Sequence, residues 1–225
     1  LREATKDQMG WHKPILPQRS KVWMINLEDP LEEMQRRVMA AAIYYELDPA
    51  SLAGLFLNSG RDTELVIARK MQNEVVIQEP VVEAIEASVR RFGVDVLIID
   101  PFIHSHAVPE NDNSELAVVV DAWRRLADKL NISIELIHHM RKLNGQEATH
   151  EDSRGAKALV DACRSVRALS KLTKDQGARL AIREEDQAGL FYMGRGDKQN
   201  MAPSFSHDVW RRMVGVPLGN ATVEY

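Results

Sequence analysis

The sequence predicts an α/β fold with a mostly parallel central sheet flanked by helices. Three apolar runs read as buried strands: KVWMINL (21–27), VDVLIID (94–100) and ISIELIHH (132–139). Helical patterns separate them, and each run ends at polar side chains. Near-continuous apolar strands that alternate with helices are typical of a parallel sheet covered on both faces.

The segments between these strands show helical spacing of their apolar residues. The predicted helices cover residues 27–47, 79–92, 114–130 and 153–163. Pro30 lies near the start of the first helix, where proline is tolerated. Ser114 is the predicted N-cap of the third helix, because a serine hydroxyl can accept from the free backbone N–H groups there.

The remaining segments predict shorter elements. Residues 51–68 are expected to form two short strands around the turn NSGRD, and residues 101–113 a polar loop. Residues 164–172 read as a strand, and Thr173 to Gln176 has the T-x-x-Q pattern of a capping box. Residues 189–205 and 208–216 read as a pair of C-terminal antiparallel strands. We expect residues 1–225 to form a single domain.

Composition limits the classes of function. The net charge of −4 gives no general attraction to nucleic acid or anionic lipid. Cys163 is the single cysteine, so no disulfide can form within the chain, which fits a reducing compartment. No apolar run approaches the roughly 20 residues of a membrane span, and the first residues are polar. We therefore expect a cytoplasmic protein without a membrane partner.

Polar side chains follow the three predicted core strands. Glu28 and Asp29 follow the first, Asp100 ends the second, and His138 and His139 end the third. The carboxyl ends of parallel strands meet at one edge of a sheet, where ligands bind. Carboxylates beside an imidazole there suit a hydrated Mg²⁺ and an activated water. Glu28 and Asp29 could also simply be acids at a helix N-terminus.

Other polar residues allow two interpretations. His104 and His106, with the His138–His139 pair, suggest zinc, but zinc ligands usually have clearer helical or C-x-x-C spacing, so a strand-end histidine fits a phosphate sensor better. Residues 111–114 fit a turn and cap. Arg154, Arg164 and Arg167 are either surface charges or phosphate contacts. Lys198 lies in a glycine-rich turn that could be a solvated hairpin.

Several motifs in order resemble the RepA-like branch of the RecA-fold P-loop ATPases, hexameric helicase-type proteins of plasmids and phages. The matching segments are NLEDP (26–30), VLIIDPF (96–102), VPENDNSEL (108–116), ELIHHMRK (135–142), SRGAKALVDACRSVR (153–167), GDKQNMAP (196–203) and VPLGN (216–220). The likeness extends from about residue 20 to about residue 220. It implies a RecA-like core and an ATP-hydrolysing motor that acts on DNA, as in replication.

The resemblance implies roles for particular residues. Glu28 corresponds to the catalytic glutamate, Asp100 to the Walker B aspartate that holds Mg²⁺ through water, and His138 or His139 to the γ-phosphate sensor. The residues implied at the nucleotide are Asp112, Arg154, Arg164, Lys198 and Asn200. Lys198 corresponds to a finger that reaches the neighbouring subunit's γ-phosphate, which implies a homo-oligomer, a hexamer in this branch.

The same resemblance implies a mobile DNA-facing loop at residues 140–153. Arg141 and Lys142 are its expected contacts to single-stranded DNA. Two other functions fit the sequence: a regulatory ATP-binding protein that remodels a partner, and a non-catalytic scaffold of the same fold.

One departure from the family is large. The sequence contains no G-x-x-x-x-G-K-[ST] motif, the P-loop whose backbone amides and lysine cradle the phosphates. The family has this motif just before the strand 21–27. We expect that the sequence lacks the segment carrying the P-loop. The alternative is a protein that has lost nucleotide hydrolysis.

Overall fold

The computed structural model describes residues 20–62, 64–72, 74–109, 112–139, 157–187, 189–193, 198, 200 and 208–219. The strands are β1 (Val22–Asn26), β2 (Leu55–Ser59), β3 (Ala68–Met71), β4 (Glu74–Ile77), β5 (Val96–Asp100), β6 (Ser133–Leu136), β7 (Leu169–Lys171), β8 (Leu190–Met193) and β9 (Val209–Arg212). The helices are α1 (Leu31–Tyr44), α2 (Glu79–Phe92), α3 (Asn113–Leu130), α4 (Lys157–Ala162), α5 (Lys174–Arg179) and α6 (Glu184–Gln187).

Four parallel strands in the order β2-β1-β5-β6 form the central sheet. In the register of this sheet Asn26 lies beside Ser59 on one side and Asp100 on the other, so three strands end at the same level. A separate antiparallel sheet, β7-β8-β9, follows in the C-terminal part. The predicted fold class, α/β with a parallel sheet and C-terminal antiparallel strands, is confirmed.

The core forms where the sheet meets its helices. Leu97 and Ile99 of β5 are fully buried and belong to one apolar cluster with Val119 and Trp123 of α3. Helix α3 contacts α2, β4 and β6, whereas α1 contacts β2. No described helix is both long enough and apolar enough to cross a lipid bilayer.

Helix ends follow local side-chain chemistry. Helix α2 occupies the predicted residues 79–92 and ends at Gly93, whose φ of 63° is left-handed, a conformation that glycine adopts at little cost. Helix α3 begins one residue earlier than predicted, because the carboxylate of Asp112 accepts from the backbone N–H groups of Ser114 and Glu115. Asp112 is therefore the N-cap, and the prediction of Ser114 was wrong. The capping box of Thr173 and Gln176 is confirmed at the start of α5.

The predicted pair of strands in residues 51–68 was half wrong. Strand β2 forms, but it pairs in parallel with β1 and not with the apolar run that follows it. That run turns inward instead, with Ile67 buried, and β3 pairs antiparallel with β4. Two other predicted strands are shorter than expected: β6 ends at Leu136 and β7 begins at Leu169.

Candidate functional site

A buried asparagine joins the carboxyl ends of β1 and β5. Asn26 is 3% exposed, and its Nδ2 donates to Oδ2 of Asp100 across 3.2 Å. Its Oδ1 accepts from the backbone N–H groups of Glu28 and Asp29, at 2.9 and 2.7 Å. One side chain thus fixes the turn after β1 against the end of β5. No role was predicted for Asn26, although a polar residue at the end of an apolar strand is a signal for one.

The end of β2 supports the same turn from its other side. The Ser59 hydroxyl donates to the carbonyl of Asp29 at 2.8 Å, and Arg61 Nε donates to the carbonyl of Glu28 at 2.9 Å. Gly60 lies so close that an added Cβ would stand 2.8 Å from the Leu27 Cα. The backbone that carries Glu28 is therefore held by two neighbouring strands.

The Glu28 carboxylate lies between two histidines. Its Oε1 is 3.0 Å from His104 Nε2, and its Oε2 is 3.7 Å from His139 Nε2. The three side chains, at 47%, 51% and 65% exposure, follow β1, β5 and β6 respectively. His104 was considered only as part of a zinc pattern, and its contact with Glu28 was not predicted.

The two adjacent histidines after β6 have different surroundings. The His138 ring is partly buried, with its centroid 6.3 Å from that of Phe102 in an edge-on arrangement. The His139 ring is exposed and turned toward Glu28. The two candidates for the γ-phosphate sensor therefore differ: His138 packs against Phe102, whereas His139 faces the Glu28 carboxylate.

Asp29 is directed toward α1, unlike Glu28. Its Oδ2 lies 2.7 Å from Nη1 of Arg37, and the exposed Arg37 also contacts Glu33. Asp29 therefore pairs with a side chain of α1, whereas Glu28 contacts His104 and His139.

The carboxylate of Asp100 lies in an unfavourable environment for a negative charge. Burial raises the pKa of Asp100 above its usual value, and the nearby carboxylates of Glu28 and Asp29 raise it further. His139 and Arg37 act in the opposite direction. A cation at this edge would offset both the burial and the repulsion.

These residues fit a hydrated Mg²⁺ better than a directly ligated metal. Among the residues that the structure describes, no three His, Cys, Asp or Glu side chains are arranged to hold a metal together. Mg²⁺ keeps most of its water and needs only one or two carboxylates from the protein. Asp100 meets that requirement, whereas these side chains do not meet the four-ligand requirement of structural zinc.

The other implied nucleotide residues have different contacts. Asp112 caps α3, and its hydrogen bonds with Ser114 and Glu115 lower its pKa. Lys198 Nζ donates to the carbonyls of Val160 and Asp161 at the end of α4, both at 2.9 Å. A lysine suits that position, since the last carbonyls of a helix carry partial negative charge.

Arg164 and Asn200 belong to this second cluster. The Asn200 backbone N–H donates to the Arg164 carbonyl at 3.0 Å, and the Arg164 side chain is exposed. Arg141, Lys142 and Arg154, with the loop 140–153, lie outside the described residues.

In parallel α/β sheets ligands bind at the carboxyl ends of the strands, and in this sheet that edge carries the acids Glu28 and Asp100. A family model described as an AAA domain matches residues 3–145, more than half of the 225 residues, and the chain belongs to this family. No curated protein matches the chain. The family is one of ATPase-type domains that generally bind nucleotide with Mg²⁺.

Proposed function

We propose that the chain is the ATP-hydrolysing motor domain of a RepA-like protein that acts on DNA as a homo-oligomer. The observation that supports this most is the fixed arrangement of Glu28 and Asp100 at the sheet edge, joined through Asn26. Two acids supported by neighbouring strands are what a water-activating, cation-binding site needs.

Each acid has a separate role in the proposed reaction. Glu28 orients a water molecule and removes its proton as the oxygen attacks the γ-phosphorus; the bond to ADP breaks and ADP leaves. Asp100 would hold Mg²⁺ through water, and the ion when bound supplies positive charge for the phosphate oxygens. The raised pKa of Asp100 supports this role, because a site that disfavours a bare carboxylate gains from a cation.

We assign the γ-phosphate sensor to His139 rather than His138. His139 is exposed and 3.7 Å from the Glu28 carboxylate, so it can respond to charge at the reacting centre. His138 instead packs toward the ring of Phe102. We expect His139→Ala to reduce ATP turnover more than His138→Ala.

Lys198 is proposed to act across a subunit boundary, with Arg164 and Asn200 beside it. Within one chain its ammonium group donates to two carbonyls of α4, so it must exchange these hydrogen bonds for a phosphate of the neighbouring subunit. Mixing Lys198→Ala subunits with wild type should then reduce turnover more steeply than linear dilution. A linear dependence on the variant fraction contradicts a shared site.

The decisive experiment is Mg²⁺-dependent ATP hydrolysis by the protein expressed from its complete reading frame. We expect Asp100→Ala to abolish turnover and leave the unfolding temperature within a few degrees. The matched control is Asp128→Ala, which removes an exposed aspartate of α3. Unchanged turnover in Asp100→Ala contradicts the assignment. If the wild-type protein does not bind nucleotide, the scaffold function is favoured instead.

The DNA part of the proposal rests on the resemblance of residues 140–153, including Arg141 and Lys142. Single-stranded DNA should stimulate hydrolysis, and duplex unwinding should accompany it. Hydrolysis that DNA leaves unchanged favours a regulatory ATPase that remodels a protein partner. Salt dependence of the stimulation measures the phosphate contacts directly.

A further inference from the structure

We infer that His104 is a positioning residue for Glu28: its ring nitrogen fixes the orientation in which the Glu28 carboxylate meets the attacking water. This inference rests on the proposed hydrolysis, and it adds a residue that no motif of the sequence assigns to that reaction. Its basis is the 3.0 Å contact between His104 Nε2 and Glu28 Oε1.

The backbone that carries His104 is rigidly mounted. His104 lies in a 3₁₀ turn, Phe102–Ser105, whose first and last residues are fully buried. The Phe102 N–H donates to the Ile137 carbonyl at 2.6 Å, and the Ser105 hydroxyl donates to the Phe102 carbonyl at 2.7 Å. The turn is thus tied both to itself and to the segment after β6.

Helix α3 secures the far end of the same turn. The indole N–H of Trp123, which is 1% exposed, donates to the Ser105 hydroxyl at 3.4 Å. His104 therefore projects from a buried support although its own ring is half exposed. A histidine on such a support loses little further freedom when it binds a partner, and so can orient that partner at low entropic cost.

Glu28 also has a fixed backbone, but its side chain is longer and has more rotamers than that of His104. Asn26 and Arg61 form hydrogen bonds with the backbone of Glu28 and do not restrict the rotamer of its carboxylate. Ordering a glutamate side chain from such freedom costs rotamer entropy. The contact with His104 selects one orientation near Asp100 before substrate arrives.

Loss of the contact between His104 and Glu28 should affect the rate of hydrolysis far more than the stability of the fold. A half-exposed contact between two side chains contributes little to folding, so removing it should barely change stability. Misplacing a catalytic group by about 1 Å, in contrast, can lower a rate by about 100-fold. An effect on turnover without an effect on folding or on ATP affinity is therefore the signature of positioning.

The test compares His104→Phe with His104→Gln. Phenylalanine keeps the ring but has no donor, whereas the glutamine amide nitrogen can reach the place of Nε2 and donate. We expect His104→Phe to lower kcat by about tenfold or more with KM for ATP within about twofold, and His104→Gln to restore most of kcat. Wild-type kcat in His104→Phe overturns the inference, as does equal loss in both variants.

A measurement that does not depend on ATP turnover distinguishes failure of this inference from failure of the proposed function. We expect the ¹⁵N shift of His104 Nε2 to change in Glu28→Ala, with the buried His106 as internal reference. If His104 is unaffected, the contact does not form and the inference fails by itself. If the shift changes but the wild type hydrolyses no ATP, the proposed function fails, and the positioning role with it.

Discussion

Replacing Asn26 by alanine tests whether one side chain holds the sheet edge together. The change removes the acceptor of two backbone N–H groups, at 2.9 and 2.7 Å, and the 3.2 Å donor to Asp100. An N–H group left without a partner costs about 1–3 kcal/mol where it is buried. Because the turn is only partly buried, we expect values near the lower limit, and a total loss of about 2–4 kcal/mol of unfolding free energy.

Urea unfolding followed by tryptophan fluorescence measures this loss as a lower midpoint at an unchanged slope. The matched control is Asn58→Ala on β2, because the Asn58 side chain makes a single exposed hydrogen bond, from Trp23 Nε1 at 2.8 Å. We expect the control to lose less than about 1 kcal/mol. Equal losses in the two variants would refute the reasoning, since burial and multiple hydrogen bonds would then not matter at Asn26.

Three further outcomes follow from the packing and charge of the fold. Burial raises the pKa of Asp100 in the folded protein. The contribution of this carboxyl group to stability is therefore full below about pH 4 and is lost as pH rises through the pKa of the folded state. Asp100→Asn should be more stable than the wild type near pH 7 and lose that advantage in acid, which denaturation at several pH values measures. Gly60→Ala should cost about 1–3 kcal/mol, since its Cβ would meet the Leu27 backbone, whereas Gly54→Ala, with no atom nearer than 3.5 Å, should change thermal unfolding little. Thr173→Ala removes a capping box and should cost about 1 kcal/mol in the same assay.

Elements whose apolar residues form a clear pattern within one segment were predicted from the sequence. The helix at residues 79–92 and the strand that ends at Asp100 follow from apolar spacing alone. The predicted α3 cap, Ser114, was wrong because Asp112 and Ser114 are both good capping residues, and only the structure shows which one accepts from the helix. The hairpin of β3 and β4 was not predicted although the two strands are adjacent in sequence, because the short segments ARKM and EVVI give only a weak local pattern.

The site follows the same division. Strand ends that carry acids and histidines can be read from the sequence, and parallel topology brings them to one edge. The hydrogen bonds that orient them cannot be read this way. His104 and Glu28 are 76 positions apart, and Asn26 and Asp100 are 74 apart. With no periodicity to connect such pairs, the residues that support the acids are found only from coordinates.

Neutralising Asp100 distinguishes a sheet edge that takes part in hydrolysis from one that only stabilises the fold. If these polar groups only stabilised the turn, neutralising Asp100 would have no reason to harm ATP hydrolysis. A site arranged for a cation accepts a destabilising carboxylate, with Asn26 and Arg37 offsetting part of the cost. Asp100→Asn should therefore gain stability and lose hydrolysis in the same protein. A gain in stability with hydrolysis retained would mean that the acids serve the fold alone.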